Sequence, residues 1–222
     1  PRETKGAWAG EIGMIQMLPE DILDSGSDGD GDGRVDLQNS AEDALMSGGH
    51  MLRRLGWQAD APWLQEIELP GDLDLNLTGL DKSLPVARWQ ALGVTGRHGP
   101  LQPSAGQASV LLPVGHKGPA FLTYPNFNVY FEWNQSLVYV TTAAYFATLL
   151  SGAPRFDPGT PDAGLTGQDM RALQRKLVAR GHDVGKIDGI LGSKTRAAVQ
   201  AEQERLNLPA DAWPTPSLLA RL

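Results

Sequence analysis

Hydrophobic positions near the start of the chain predict helical structure. Four apolar side chains recur at close to helical spacing: Met14, Met17, Leu18 and Ile22. Such spacing is typical of the buried face of a helix. Pro19 falls inside the pattern, and a proline removes a backbone donor and clashes with the preceding turn. We therefore expect two short helices that meet at the sequence LPED.

A second helical pattern follows in the segment SAEDALMSGGHMLRRLGW, which begins at Ser40. Ser40 and Asp43 have the spacing of a helix cap, and Gly56 can end the helix. The segment is therefore predicted to form one amphipathic helix. Its apolar side is expected to carry Ala44, Leu45, Met51, Leu52 and Leu55.

The middle of the chain, residues 63–122, alternates short apolar runs such as QEIEL and ASVLLPV with glycine and proline turns. This alternation favours either short strands or an irregular lobe. Further on, four residues lie one helical turn apart and predict a buried helix: Val138, Thr142, Tyr145 and Leu149.

A change of composition at residues 151–167 indicates a domain boundary. The sequence SGAPRFDPGTPDAGLTG contains three prolines and four glycines, which is typical of a linker. After it, Thr166 and Asp169 form a capping pair and Gly181 can stop the helix. We predict domains at residues 1–150 and 165–222 with a linker at 151–164, the last domain having three helices. Its first helix should bury Met170, Leu173 and Leu177, and Thr215 should cap the third.

Charge is concentrated in one place. The net charge is −7, but residues 20–43 alone hold nine acidic residues and one basic residue, whereas residues 165–222 are mildly basic. No arginine-rich stripe is present, which argues against nucleic-acid binding. No apolar run approaches the ~18 residues of a membrane span. The absence of cysteine excludes disulfides and thiolate sites, and mildly favours an oxidising compartment.

The acidic segment DGDGDGRVDLQN has the spacing of a calcium-binding loop. Carboxylates occupy loop positions one, three, five and nine, and Gly33 occupies position six, where such loops turn sharply. Position twelve is Asn39 rather than glutamate, so the closing ligand must come from the following helix, where we favour Asp43 over Glu42. The alternative is an acidic surface loop without an ion. The predicted ligands of a structural Ca²⁺ are Asp28, Asp30, Asp32, the Arg34 carbonyl and Asp43.

Motifs in the last domain resemble a known family. LQRKL, GHDVGKIDGILGSKTRAAV and TPSLLARL are similar to phrases of the three-helix type of peptidoglycan-binding domain. The family usually has an aromatic residue before the glutamine of the second helix, whereas this chain has Glu202 before Gln203. The alternative is a generic helical module without a ligand.

The first 150 residues resemble the B-type lytic murein transglycosylases. GAWAGEIGMIQMLPEDIL is similar to their GSWAGAMGxxQFMPSSY motif, and the acidic loop, GGHMLRRLGW and YPNFNVYFEWNQSLVYVTTA follow in the family's order. The resemblance implies a mainly α (α+β) fold. It comprises a lysozyme-like lobe with an EF-hand-like calcium loop, followed by the small peptidoglycan-binding domain.

The resemblance also implies a reaction with one catalytic glutamate. In the family this residue protonates the glycosidic oxygen and then acts as base while the muramoyl 6-hydroxyl attacks, giving a 1,6-anhydro product. Its GVETxxG-like motif is not found in the chain. We expect the chain, which begins at Pro1, to be an excised piece and the acid to lie upstream. Glu11 is the alternative candidate, and a lineage that has lost the acid is the third.

Substrate-contacting positions are assigned from the same resemblance. Gln16 matches the motif glutamine, and Met17 and Met51 replace aromatic residues. Near residue 134, a tyrosine–asparagine pair of the family becomes tryptophan–asparagine, and a following tyrosine is kept. For each aromatic residue the alternative is ordinary core packing. The predicted substrate-binding residues are Gln16, Met17, Met51, Trp133, Asn134 and Tyr139.

Together these observations predict a lytic transglycosylase of the periplasm or cell envelope of a Gram-negative bacterium. Its partners are expected to be peptidoglycan glycan strands, with other cell-wall enzymes as further candidates. Two alternatives stay open: a non-catalytic peptidoglycan-binding protein and a hydrolytic muramidase.

Overall fold

The computed structural model describes residues 6–222, and these form two compact units that divide after Asp60. The first unit holds helices α1 (Pro19–Ser25) and α2 (Ala41–Arg54). The second holds all five strands and six further helices of the described residues. Within residues 6–222, no helix has the length and apolar character needed to cross a membrane.

The first expected helix is absent, and a tight hairpin turn takes its place. Ile12 and Met17 exchange backbone hydrogen bonds of 2.8 and 3.1 Å. Gly13 and Gln16 have φ of 78° and 51°, which a right-handed helix cannot contain. A Cβ on Gly13 would lie 2.4 Å from the Leu37 carbonyl oxygen, so only glycine fits this approach. The prediction of two helices meeting at LPED was therefore wrong before Pro19, where α1 begins.

Helix α2 begins where its cap predicted. The Ser40 hydroxyl accepts a hydrogen bond of 3.2 Å from the backbone N–H of Asp43. The predicted apolar side was wrong at Leu45, whose surface is 74% exposed. Leu45 lies about 100° around the helix from its buried neighbour Ala44. The face that is buried carries Asp43, Ala44, Ser47, Gly48 and Met51.

The second unit contains an antiparallel sheet in the order β2-β4-β5-β1-β3. The expectation of short strands in the middle of the chain is therefore confirmed. The strands are β1 (Leu64–Glu68), β2 (Leu84–Pro85), β3 (Thr95–Gly96), β4 (Gln107–Leu111) and β5 (Ala120–Thr123). A short 3₁₀ helix, Leu75–Leu77, precedes β2.

Helices α3 (Val86–Ala91), α4 (Pro125–Trp133) and α5 (Leu137–Leu150) pack with the sheet. Trp89 of α3 is fully buried, and its indole N–H donates to the Ala108 carbonyl at 2.7 Å. In α5 the expected buried face was wrong at Val138, which is 75% exposed, whereas Tyr145 packs against the core beside the buried Val140 and Ala144. The sequence spacing alone could not distinguish these two faces, since α5 is apolar on almost every side.

The last 57 residues form the three expected helices, α6 (Gly167–Ala179), α7 (Ser193–Arg205) and α8 (Pro216–Arg221). Thr166 and Thr215 cap α6 and α8 as predicted. Gly181 follows α6 with a φ of 92°. The small core formed by these helices includes Met170, Leu173, Leu177, Val199 and Leu218. These helices belong to the same compact unit as the sheet, and the predicted boundaries at residues 150 and 165 stay predictions.

Glu202, the residue that departs from the expected aromatic, is buried in a charged cluster. Its carboxylate accepts from His182 Nε2 at 2.9 Å and from Arg205 at 2.7 Å, and Arg180 lies 3.7 Å away. Burial raises the pKa of this carboxyl group, but the hydrogen bonds and cationic charges around it prevail. The pKa of Glu202 is therefore lowered below its ordinary value of 4.5.

We expect this cluster to make the second unit sensitive to acid. A carboxyl group with a lowered folded-state pKa stabilises the fold above its unfolded pKa and loses that contribution as the pH falls below about 4.5. Glu202→Gln should lower the free energy of unfolding at pH 7 by about 1–3 kcal/mol and flatten its decline between pH 5 and 3. Urea unfolding at several pH values measures both effects. Glu204→Gln, an exposed change on the same helix, is the control. Equal pH profiles for wild type and Glu202→Gln would contradict the interpretation.

Candidate functional site

The acidic loop brings together three of the predicted metal ligands. Asp28, Asp30 and Asp43 each place a carboxylate oxygen within 4.8 Å of the others. Asp32, predicted at loop position five, lies outside this group of three, and its side chain accepts the Arg34 backbone N–H at 2.8 Å. Asp43 is therefore the α2 carboxylate that lies beside Asp28 and Asp30, and the roles of all five predicted ligands stay predictions.

Asp43 organises the loop from the buried side. Its side chain is almost fully buried and accepts the N–H of Gly29 on Oδ1 and the N–H of Asp36 on Oδ2, each at 2.7 Å. The hydrogen bond from Asp36 is the main reason why the pKa of the Asp43 carboxyl lies below its ordinary value. Oδ1 also accepts a long hydrogen bond of 3.4 Å from the backbone N–H of Asp30. Oδ2 therefore accepts fewer hydrogen bonds than Oδ1 and retains the freer lone pair.

The loop is curled by its own backbone donors. Asp28 accepts the N–H groups of Gly31, Asp32 and Gly33 at 2.6, 3.1 and 2.8 Å. The two glycines have φ of 78° and 87°, conformations that L side chains rarely adopt. The backbone is thereby wrapped around the Asp28 carboxylate, which is held at the start of the loop.

Asn39, at the twelfth loop position, uses its side chain to hold another residue of the loop. Its side-chain amide donates to both carboxylate oxygens of Asp36, at 3.1 and 2.8 Å. This hydrogen bond is the main reason why the pKa of Asp36 is lowered. The side chains at loop positions nine and twelve, Asp36 and Asn39, therefore hydrogen-bond to each other. Sequence reasoning missed this pair, although the Asp-x-x-Asn spacing indicates it.

The donor set of the loop suits a hard cation. Three anionic carboxylates that converge within one small region repel one another, and a bound ion of opposite charge removes that repulsion. Ca²⁺ prefers oxygen ligands and tolerates irregular geometry. Ser40 supports the arrangement, because its hydroxyl donates to Asp30 at 2.8 Å while capping α2. The residues present therefore fit a calcium ion.

In the first unit, the predicted substrate residues differ in accessibility. Gln16 is exposed at the tip of the hairpin turn, and its side-chain amide donates to the Gly13 carbonyl at 2.7 Å. Met17 and Met51 are only 1% and 7% exposed. A direct sugar contact from either methionine would require it to become exposed, so their burial favours a packing role. All three assignments stay predictions.

Glu11 and Trp8, which lie beside the hairpin turn, have unusual environments. The Glu11 side chain has a buried Oε2 that meets no hydrogen-bond partner among the described residues. Trp8 is 98% exposed. Sequence reasoning singled out Glu11 as an alternative acid but missed Trp8, although an exposed tryptophan inside a glycine-rich motif is a signal for binding.

In the second unit, the predicted residues lie together at the turn between α4 and α5. Trp133 ends α4 and is half-buried, and the Asn134 side chain accepts the Ser136 N–H at 2.9 Å. Ser136 in turn caps α5 next to Tyr139, which is 55% exposed. An aromatic ring, an amide and a phenol are thereby placed on one accessible turn, and this is a combination that suits the C–H faces and hydroxyl groups of a sugar.

Two protein-family models match the chain. The family model for the transglycosylase SLT domain matches residues 1–148, and a model described as a peptidoglycan binding domain matches residues 166–222. No curated protein matches the chain.

Solved structures were also compared. SltB3 from Pseudomonas aeruginosa, crystallised with NAG-anhNAM-pentapeptide and with NAG-NAM-pentapeptide, is 41% identical with a TM-score of 0.86. The match covers 98% of this chain and 60% of the SltB3 chain, so the chain spans less than two thirds of that relative. Escherichia coli Slt35 in complex with bulgecin A is 25% identical over 66% of this chain and 48% of its own, with a TM-score of 0.52. A calcium complex of Slt35 is also 25% identical, over 65% and 47%, with a TM-score of 0.50.

The expected fold class, mainly helical with a small sheet and a final three-helix domain, is confirmed by these matches. Because the SLT model alone matches more than half of the residues, the chain belongs to the transglycosylase SLT domain family.

Proposed function

We propose that the protein is a lytic transglycosylase that cleaves the β-1,4 bond between MurNAc and GlcNAc in peptidoglycan and leaves a 1,6-anhydro-MurNAc end. The observation that carries this proposal is the agreement with SltB3 along 98% of the chain. SltB3 was crystallised with a ligand that contains an anhydro sugar. Family membership supports the same activity.

The proposed reaction needs one proton donor and no external nucleophile. The acid protonates the glycosidic oxygen as the C–O bond breaks, and the same group then accepts the proton of the muramoyl 6-hydroxyl as that oxygen bonds to C1. No water is consumed. We propose that Gln16 hydrogen-bonds an amide or hydroxyl group of the sugar, and that Trp133, Asn134 and Tyr139 bind another part of the glycan.

We further propose that the acidic loop binds Ca²⁺ in a structural role. Asp28, Asp30 and Asp43 would hold the ion, with Asp32 and the Arg34 carbonyl completing its oxygen shell. The calcium complex of Slt35 supports this choice of metal. The bound ion would neutralise the carboxylates and thereby fix the loop to the start of α2.

The substrate class supports a location and a set of partners. Peptidoglycan lies outside the cytoplasm, so we propose that the protein acts in the periplasm or cell envelope. Its main partner would be the glycan strand, and other cell-wall enzymes are further candidates. Residues 166–222 would bind the wall, since the peptidoglycan binding domain model matches them.

Mass spectrometry of digested sacculi tests the proposed function. Released muropeptides that are lighter by one water than their reducing counterparts are the expected result, because the 6-hydroxyl replaces water as nucleophile. Reducing ends would support a hydrolytic muramidase instead. Binding to sacculi without any released product would support a non-catalytic peptidoglycan-binding protein, and both outcomes would overturn the proposal.

We expect Glu11→Gln to leave the yield of anhydro-muropeptides essentially unchanged. The family resemblance places the acid in a different motif, and the buried Oε2 of Glu11 has no hydrogen-bond partner among the described residues. Removal of a true general acid costs about 100-fold or more in rate. The digestion assay measures this directly, with Glu20→Gln as an exposed control. A loss of about 100-fold confined to Glu11→Gln would show that this residue is the acid.

A further inference from the structure

Helix α7 of the C-terminal module (residues 166–222) is joined to the strand-rich part of the same unit by side-chain donors that reach backbone carbonyls. Gln200 is buried, and its amide donates to the carbonyls of Leu75 and Thr78 at 2.9 and 3.1 Å. It also donates to Ala210 at 2.8 Å, and its carbonyl accepts from Lys82. Both N–H donors of this amide are therefore used in the docked arrangement, and two of their three acceptors lie outside the module.

Arg196, one turn earlier in α7, makes a second connection. Its guanidinium donates to the carbonyls of Leu112 and Pro113 at 3.3 and 2.7 Å. The same group lies 5.9 Å from the centre of the Trp213 ring, a distance at which a cation is attracted to the aromatic face. Burial lowers the pKa of Arg196 to about 10. Neutral pH is far below this value, so the group remains charged and holds both carbonyls.

A third connection is centred on Asp211. One oxygen of its carboxylate accepts the backbone N–H of His116 at 3.1 Å and Nδ1 of the same residue at 2.6 Å. Its other oxygen accepts Gln203 at 2.7 Å. Next to Asp211, the side chain of Trp213 packs closely on two glycines, Gly115 and Gly164. A Cβ on Gly164 would lie 2.7 Å from the Trp213 ring. The two surfaces are thus in close contact and joined by hydrogen bonds, although the buried Arg196 Nε has no hydrogen-bond partner among the described residues.

The segment predicted as a linker lies against the same surface. Phe156 packs edge-on to Phe121 and Tyr145, with ring centres 5.9 and 4.9 Å apart. The N–H of Asp157 donates to Glu66 at 2.8 Å, and that of Thr160 donates to the Lys117 carbonyl at 2.9 Å. A free linker makes no such contacts along its length. Residues 151–164 therefore follow a fixed path across the sheet region.

We propose that the C-terminal module is a rigidly docked part of the strand-rich region, held by α7 and by the segment 151–164, rather than an anchor on a flexible tether. Separation would leave the buried Gln200 amide, the Arg196 guanidinium and the Asp211 carboxylate without their partners across the junction, and it would expose Trp213. Separation exchanges each of these hydrogen bonds for one to water, so their number and the packing of Trp213 together oppose it, whereas a flexible 14-residue tether gains only modest loop entropy. A wall polymer bound by the module is therefore held in one orientation relative to the sheet.

Distance measurements between two spin labels test this proposal. The chain has no cysteine, so labels can be placed on Gln90→Cys in α3 and Arg175→Cys in α6, both at exposed positions. Double electron–electron resonance on the otherwise unaltered protein should give a single narrow distance distribution. Gln200→Ala together with Arg196→Ala should broaden it, whereas Glu204→Ala on the exposed side of α7 should not.

A second label pair separates undocking from unfolding of the strand-rich region. Gln90→Cys with Asn128→Cys lies entirely within the strand-rich region, and its distribution should stay narrow in the Gln200 and Arg196 double variant. A broad distribution between Gln90 and Arg175 in the unaltered protein, or an unchanged one in the double variant, would overturn the proposal. These measurements do not depend on glycan cleavage. The docking proposal can therefore be confirmed when the proposed enzymatic activity is disproved, and it can be disproved when that activity is confirmed.

Discussion

Asp43→Asn is expected to abolish calcium-dependent stabilisation of the first unit. The carboxylate is buried and accepts backbone N–H groups on both oxygens. An asparagine side chain has one oxygen that accepts and one NH₂ group that only donates. One of the two backbone N–H groups would therefore face the amide N–H. It also removes one negative charge from the three that converge. We expect calcium affinity to fall by about 100-fold or more, since loss of a supporting group alone costs about 10–100-fold.

Thermal unfolding with calcium and with a chelator measures this effect. The unaltered protein should show a higher melting temperature in calcium, and Asp43→Asn should show none of that increase. Glu42→Gln is the matched control, because it makes the same chemical change at the adjacent, exposed position of α2. Equal calcium shifts in Asp43→Asn and Glu42→Gln would disprove the assignment of Asp43. The absence of a shift in the unaltered protein would disprove the calcium site itself.

Trp89→Ala is expected to lower the free energy of unfolding of the second unit by about 3–5 kcal/mol, as large aromatic-to-alanine changes do in protein cores. The side chain is fully buried in the largest hydrophobic cluster of the sheet region. Its loss leaves a cavity and also frees the Ala108 carbonyl, which accepts the indole N–H. A domain has only about 5–15 kcal/mol of stability in total, so the variant should be close to unfolding at physiological temperature.

Urea denaturation monitored by circular dichroism measures this loss. Trp89→Phe should recover part of it, because the ring volume is largely restored while the carbonyl stays unpaired. Trp8→Ala provides a matched control at a tryptophan that is 98% exposed, and it should change stability by less than about 0.5 kcal/mol. A cost for Trp89→Ala no larger than that of Trp8→Ala would contradict the assigned core.

Local chemistry made several features predictable. Ser40, Thr166 and Thr215 cap helices where their side chains predicted, because capping depends on atoms within one helical turn. The convergence of Asp28, Asp30 and Asp43 was predictable from the loop spacing. The alternating carboxylates set the loop spacing, and the missing acid at position twelve pointed to the next helix.

Features that depend on distant contacts were not predictable. Gly13 takes its conformation from an approach to Leu37, which no spacing of Met14, Met17 and Leu18 encodes. The exposure of Leu45 and Val138 depends on what packs against their helices rather than on their own hydrophobicity. The linker composition of residues 151–164 likewise gave no sign of their path, because proline and glycine suit a fixed irregular segment as well as a flexible one.

The docked face of α7 has a consequence for how such a module can be exchanged between proteins. Residues 166–222 match a domain model on their own, which suggests a unit that recombination or engineering could transplant. Here, however, Arg196 and Gln200 take their acceptors from residues 75–113. A graft of the module alone would lose these hydrogen bonds and expose the donors to water. A transferable unit should therefore begin at residue 61, not at residue 166.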